Sequence, residues 1–251
     1  MKNSPSKIAL TVGFLLALSF TFSCTGGGSG DDGGSSSSGG GASKNNCTDA
    51  ASCKKKKIGN RTWMLENLNI DVGEGSTCYE GKSANCDKYG RLYTWAAAMD
   101  IDSKYNEQLW GESDVRHQGI CPTGWHIPSF AEWEALGNKV ETLSGCTGCA
   151  GKHLKSISYW KSYSGIQNLD TYGFNARPGG YCDENKANPC ASSVSTYFKG
   201  IEESGRWWTS TENMAGSAFP VKMSYYSNGV EMGMGYPESK GYLYSVRCVK
   251  N

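Results

Sequence analysis

Eleven cysteines behind a secretory leader constrain this chain more than any other feature. Lys2 and Lys7 form a positive n-region, and Ile8 to Phe22 follow as an uncharged run of 15 residues. A membrane-spanning helix needs about 20 apolar residues, so the run is expected to be a signal-peptide core. Export places the cysteines where disulfides form and persist. Ser23-Cys24 ends the leader with a small residue before a cysteine, as in a bacterial lipobox, although Thr21 and Phe22 replace the usual Leu and small residue. Lipidation of Cys24 is the expectation, and an ordinary signal peptide with a stray cysteine is the alternative. Thr25, rather than Asp, after the cysteine favours the outer membrane.

With Cys24 lipidated, ten cysteines remain, an even number that implies disulfides. Eight are close sequence neighbours: Cys47 with Cys53, Cys78 with Cys86, Cys146 with Cys149, and Cys182 with Cys190. Pairing them staples four short loops and leaves Cys121 for Cys248, closing a long one. Chain entropy assigns such a closure about 4–5 kcal/mol. Cys146-Thr-Gly-Cys149 is also a C-x-x-C, the spacing of a redox dithiol or half a zinc site. It lies in a Gly-rich loop after a helix rather than after a βαβ strand, and no second C-x-x-C exists, so a local disulfide is favoured.

Four segments follow: residues 1–23, the signal peptide; 24–44, the lipidated cysteine and a linker; 45–56, a short cysteine-containing lead-in; and 57–251, the folded domain. From Thr25 to Lys44, fifteen of 20 residues are Gly or Ser. Such a stretch has no apolar surface to offset its ordering entropy and is expected to stay disordered, with an end-to-end distance of about 25 Å. Its G-x-G-x-x-G at Gly28, Gly30 and Gly33 has no strand before it and no helix after it, so it is not a nucleotide site. Charge is balanced, 25 Lys and Arg against 24 Asp and Glu, which argues against nucleic acid as a partner.

The Lys54–Lys57 run reads as a solvated face at the start of the domain. Ile58 to Ile70 reads as a strand entering the core through Trp63 and Leu65, and Gly90 to Met99 as a strand passing into a helix. Ser129-Phe-Ala-Glu132 is a capping box. Behind it Trp133, Leu136, Val140 and Leu143 form one apolar helical face, ended by Gly145. Past residue 150 the chain is Gly-rich and β-like. Arg206 to Thr211 alternates around Trp207 and Trp208, and Asn228-Gly229 after Ser224-Tyr-Tyr-Ser227 signals a hairpin turn. Gly241 to Val249 reads as a final strand with Leu243, Ser245, Arg247 and Val249 on one face and Tyr242, Tyr244, Val246 and Cys248 on the other.

The blocks IGNRTWMLENLN, GRLYTWAAAM, CPTGWHIPSFAEWEAL, YGFNARPGGY, RWWTSTE and YSVRCVKN stand in this order. Together they resemble the Fibrobacter succinogenes major paralogous domain (FISUMP) over about residues 57 to 251. The resemblance implies an exported protein, often a lipoprotein, with no established catalytic activity and with attachment to plant polysaccharide as its expected role. More distantly the order is similar to a C-type-lectin-like fold, an α+β arrangement of two helices, a twisted antiparallel sheet and long disulfide-stapled loops. Ala96 to Met99, Cys121, Ser129 to Leu143 and Cys248 fit that plan, and the likeness independently implies the Cys121–Cys248 bond. The Glu-Pro-Asn, Gln-Pro-Asp and Trp-Asn-Asp triplets of calcium-dependent lectins are missing, so calcium-bridged sugar binding is not carried over.

No enzyme motif accompanies these blocks. His117, His126 and His153 are scattered without H-E-x-x-H, and His126 is expected to be a hydrogen-bonded structural residue. No G-x-S-x-G is present. Glu202, Glu203 and Glu212 flank the tryptophan pair, but solvated or anchoring carboxylates are the favoured reading over a glycosidase dyad. Asp100, Asp102, Glu107, Glu112 and Asp114 lack the spacing of a calcium loop. No cofactor, metal or catalytic residue is expected. What remains is aromatic: Trp207, Trp208, Tyr225 and Tyr226, with Glu212, are the candidate ligand-binding residues. Strand alternation predicts that one member of each aromatic pair faces outward. The expected function is a non-catalytic surface domain binding polysaccharide, the alternative a structural or protein-interaction domain of the cell envelope.

Overall fold

A computed structural model describes residues 44–112, 116–183, 190, 197–232 and 236–251. Their first strands form a hairpin, β1 (Lys55–Ile58) and β2 (Arg61–Met64), turned at Gly59 and Asn60. Residues 58 to 70 are therefore not one strand. The lysine run is itself most of β1, its side chains exposed along a sheet edge, where charge discourages further pairing. Trp63, Met64 and Leu68 enter the core, while Leu65 stays partly exposed.

A short pair, β3 (Ser76–Thr77) and β4 (Leu92–Tyr93), brackets helix α1 (Ser83–Tyr89). Helix α2 (Trp95–Met99) follows at once, its Thr94 hydroxyl accepting from the Ala97 N–H. After β5 (Trp125–His126) comes α3 (Phe130–Ser144), with the reciprocal Ser129–Glu132 capping box at its start and Gly145 in the left-handed conformation at its end. Trp133, Leu136 and Val140 are buried, but Leu143, in the last turn, is 53% exposed. Helix α4 (Ala150–Leu154) is the last α-helix among the described residues.

The C-terminal half supplies β6 (Gly179–Cys182), β7 (Phe198–Ile201), β8 (Ser204–Met214), β9 (Ser217–Ser224), β10 (Glu231–Met232), β11 (Glu238–Ser239) and β12 (Val249–Lys250). One sheet runs β10-β9-β8-β6-β7, with β11 also on β9; another runs β1-β2-β12-β5. Val249 thus lies between Trp63 and His126, joining the two ends of the described domain. β6 meets β8 in parallel at Gly180 and Gly205. Gly180 adopts φ +67°, and a Cβ there would lie 2.7 Å from the Lys199 carbonyl, so only glycine fits.

Strand β8 has apolar packing on both faces. Trp207 belongs to a cluster with Trp63, Trp133, Phe174, Val221 and Val249. Trp208 belongs to another with Tyr93, Trp95, Tyr244, Val246 and Cys248. Only Val249 and Lys250 pair as regular strand at the chain's end, yet Tyr244, Val246 and Cys248 share one cluster while Val249 enters the other, so the two-faced pattern holds.

Disulfides join Cys47 to Cys53, Cys78 to Cys86, Cys121 to Cys248, Cys146 to Cys149, and Cys182 to Cys190. Cys47 and Cys53 are buried in the same cluster as Trp208, and the Asn45 amide donates to the Asn67 carbonyl, so the lead-in is part of the core. The architecture is α+β, with few helices, curled sheets and disulfide staples.

Candidate functional site

The loop between β9 and β10 spans residues 225–230, six residues rather than the two of a tight Asn-Gly turn. Tyr225 and Tyr226 therefore sit in a loop, where strand alternation does not govern them. Gly151 of α4 packs directly beneath: a Cβ at that position would strike the backbone of Gly229 and Asn228. The Lys152 N–H donates to the Asn228 carbonyl at 2.8 Å.

Lys155, one residue past α4, holds the loop from inside. Its side chain is fully buried, and its ammonium donates to the Ser224 carbonyl at 2.9 Å and the Ser227 carbonyl at 2.6 Å. The Trp160 ring lies 5.1 Å away. Burial pushes the Lys155 pKa down to about 8.

On the outer side the two tyrosines meet a third. Tyr163 and Tyr225 have centroids 5.5 Å apart at 85°, Tyr225 and Tyr226 5.3 Å at 83°, and Tyr163 and Tyr226 6.3 Å at 63°. Such edge-to-face arrangements are favoured by ring quadrupoles and leave faces turned in different directions. Tyr163 is 50% and Tyr226 54% exposed. Lys161 stands 5.2 Å from the Tyr225 centroid and pairs with Glu203 at 2.6 Å, which raises its pKa. The Tyr225 N–H donates to the Glu203 carbonyl at 2.9 Å, tying the loop to the β7–β8 turn. Glu202 in that turn pairs with Lys88 and accepts from the Tyr89 hydroxyl at 2.9 Å, and these partners hold its carboxyl below the usual range. The result is an open aromatic cluster rimmed by charged groups.

The remaining expected residues lie elsewhere. Trp207 and Trp208 are both 0% exposed, so neither faces outward and neither can stack on a ligand. Alternation does point them in opposite directions, but both directions are core. The Trp207 indole donates to Asn67 Oδ1 at 2.8 Å, and the Trp208 indole to the Tyr93 carbonyl at 2.9 Å. Glu212 is also internal. It pairs with buried Lys240 and accepts from the Trp110 and Gly111 N–H groups, both at 2.9 Å. Burial opposes ionisation there, yet these hydrogen bonds hold its carboxyl below the usual range. Glu212 thus anchors a loop and is not open to a ligand.

His126 is buried between Asn251 Oδ1 at 2.6 Å and the Glu132 carboxylate at 3.0 Å. His117 meets the Met99 carbonyl at 2.6 Å, and His153 the Thr171 hydroxyl at 2.7 Å. Asp100 ends α2 in a left-handed conformation and Asp102 caps the next turn, whereas Asp114 and Cys24 lie outside the described residues. Cys149 immediately precedes α4, so the C-x-x-C does open a helix, of a little more than one turn. Tyr163, Lys155 and Lys161 escaped sequence reading because no periodicity links residues 155–163 to residues 225–227; only the tertiary fold does.

Fold and site together define a disulfide-stapled α+β domain with an aromatic surface cluster. The family model described as Fibrobacter succinogenes major domain matches residues 57–250. The chain belongs to this family. Neither a curated protein nor a solved structure matches it. Among the described residues no helix is long and apolar enough to cross a membrane.

Proposed function

We propose that this domain is a non-catalytic adhesion module that binds plant-type polysaccharide through Tyr163, Tyr225 and Tyr226. The observation that carries the reading is the exposed three-ring cluster. Sugar rings carry apolar C–H faces that stack on aromatic rings, while polar neighbours fix their orientation. Lys161 and Glu203 supply such neighbours. The site thus keeps Tyr225 and Tyr226 from the sequence reading and replaces the tryptophans and Glu212 with Tyr163. A lipid on Cys24 and the Gly/Ser linker would hold the domain at the outer membrane, clear of the headgroups. We read the fold as C-type-lectin-like on two features: a disulfide spanning 127 residues to the terminal strand, and the joining of β12 to β2.

The test is retention of the mature domain on insoluble cellulose and xylan. Tyr226→Ala and Tyr163→Ala are expected to weaken retention with the melting temperature nearly unchanged. Trp207→Ala should instead destabilise the fold by about 3–5 kcal/mol. Retention should survive EDTA, since the calcium-lectin triplets are missing. Retention on no polysaccharide, or retention indifferent to all three tyrosines, would replace this reading with an envelope-interaction domain.

A further inference from the structure

We propose that Cys146, Cys149 and His153 form a zinc(II) site, available when the disulfide between the two cysteines is reduced. Among the described residues this is the group of His, Cys, Asp and Glu side chains that brings three possible ligand atoms together, all within 4.8 Å of one another. Zn–S bonds of about 2.3 Å and Zn–N bonds of about 2.0 Å place tetrahedral ligands roughly 3.5–3.8 Å apart, a separation the cluster reaches by side-chain rotation once the sulfurs part. The spacing is C-x-x-C-x-x-x-H. Two ligands come from the loop after α3, and α4 turns the third back over them.

The surroundings suit a metal. His153 Nδ1 meets the Thr171 hydroxyl at 2.7 Å, which orients the ring and leaves Nε2 for the ion, as outer partners of ligand histidines do. Glu141 accepts the Cys149 N–H at 3.2 Å. Its carboxylate lines an open depression with Asn138, Thr142, Gly145 and Thr147, against Cys146. The fourth coordination position falls to water. The depression also gives reductant and metal an entry path.

Exposure singles out this disulfide. Cys146 is partly exposed, whereas the eight cysteines of the other four disulfides are all buried. A mild external dithiol therefore reaches Cys146–Cys149 first. It supplies two electrons and two protons; the S–S bond breaks, two thiols form, and the reductant closes its own disulfide. Zinc then takes both sulfurs as thiolates, two protons leave to solvent, and no further electron moves. The bonded and metal-holding states exclude one another, so thiol poise gates the site.

The test uses the mature chain, oxidised or mildly reduced, with cobalt(II) as a spectroscopic probe and zinc as competitor. Alkylation counting verifies that two thiols have been freed. The reduced chain is expected to bind one cobalt per molecule with intense tetrahedral bands, displaced by zinc, and zinc should protect both thiols from alkylation. The oxidised chain should bind none. His153→Ala should weaken cobalt binding at least tenfold while leaving the melting temperature of the oxidised chain unchanged. A double Cys146→Ser, Cys149→Ser variant, treated with the same reductant, controls for thiols released elsewhere. Absence of cobalt binding by the reduced chain, equal binding by His153→Ala, or equal binding by the double serine variant would each overturn the proposal.

Discussion

Arg247 Nη2 donates to Asn67 Oδ1 at 2.8 Å in the middle of the core, where neither residue is exposed. The same Asn67 oxygen accepts the Trp207 indole N–H, and the Asn67 amide donates to the Tyr89 carbonyl at 2.8 Å and the Ser245 hydroxyl at 3.3 Å. One side chain thus serves both strand β8 and the buried guanidinium, whose other partners are the carbonyls of Phe174 and Asn175. Asn67→Ala leaves a buried charge and an indole short of an acceptor. We expect a loss of about 3–5 kcal/mol, measured by urea unfolding. A loss under 1 kcal/mol would show that the hub is not needed.

Lys155 makes the stability of the domain depend on pH. Its folded pKa, about 8, lies below the ordinary 10.5. Between these values the unfolded chain still holds a proton that the folded chain has released, so stability rises with pH through that window. Below pH 8 both states are protonated and the contribution is flat. The rise amounts to about 3 kcal/mol over the window. Tyrosines also titrate near its upper end, so the measured quantity is the difference between the parent chain and Lys155→Met. That difference should slope from about pH 8 upward; a flat difference would place the ammonium in contact with water.

The staples should contribute unequally. Cys121 and Cys248 are 127 residues apart, Cys146 and Cys149 only three. Loop-closure entropy grows with separation, so removing the first pair should cost about 4–5 kcal/mol and the second considerably less. Thermal unfolding of the two double-serine variants compares them directly. Equal losses would mean that the long staple does not act through the unfolded chain.

Anchoring is expected to rest on one residue. If the proposed lipid on Cys24 is the anchor, Cys24→Ala should move the protein from the detergent phase to the aqueous phase in phase separation. An unchanged partition would exclude Cys24 as the anchor.

Much of the fold was legible where a local rule suffices. The α3 start is encoded in Ser129 and Glu132, its stop in Gly145, and the two-faced end of the chain in the alternation from Tyr242 to Val249. The site was less legible, for two physical reasons. Alternation separates inside from outside only when one face of a strand meets water, and β8 has packing on both. The tyrosine cluster joins Tyr163 to residues more than 60 positions later through the Lys155 contact beneath the loop, a relationship with no sequence period.

The placement of Val249 between Trp63 and His126 bears on the order in which the domain can form. A polypeptide emerging N-terminus first cannot assemble this sheet until Val249 arrives, because the central pairing partner is missing until then. Contacts of such long sequence separation also form slowly. The segment from Trp63 to His126 therefore remains unfinished while the rest is synthesised. The Cys121–Cys248 bond, whose partners stand 127 residues apart, waits on the same last residues, so strand pairing and the long staple close the domain together.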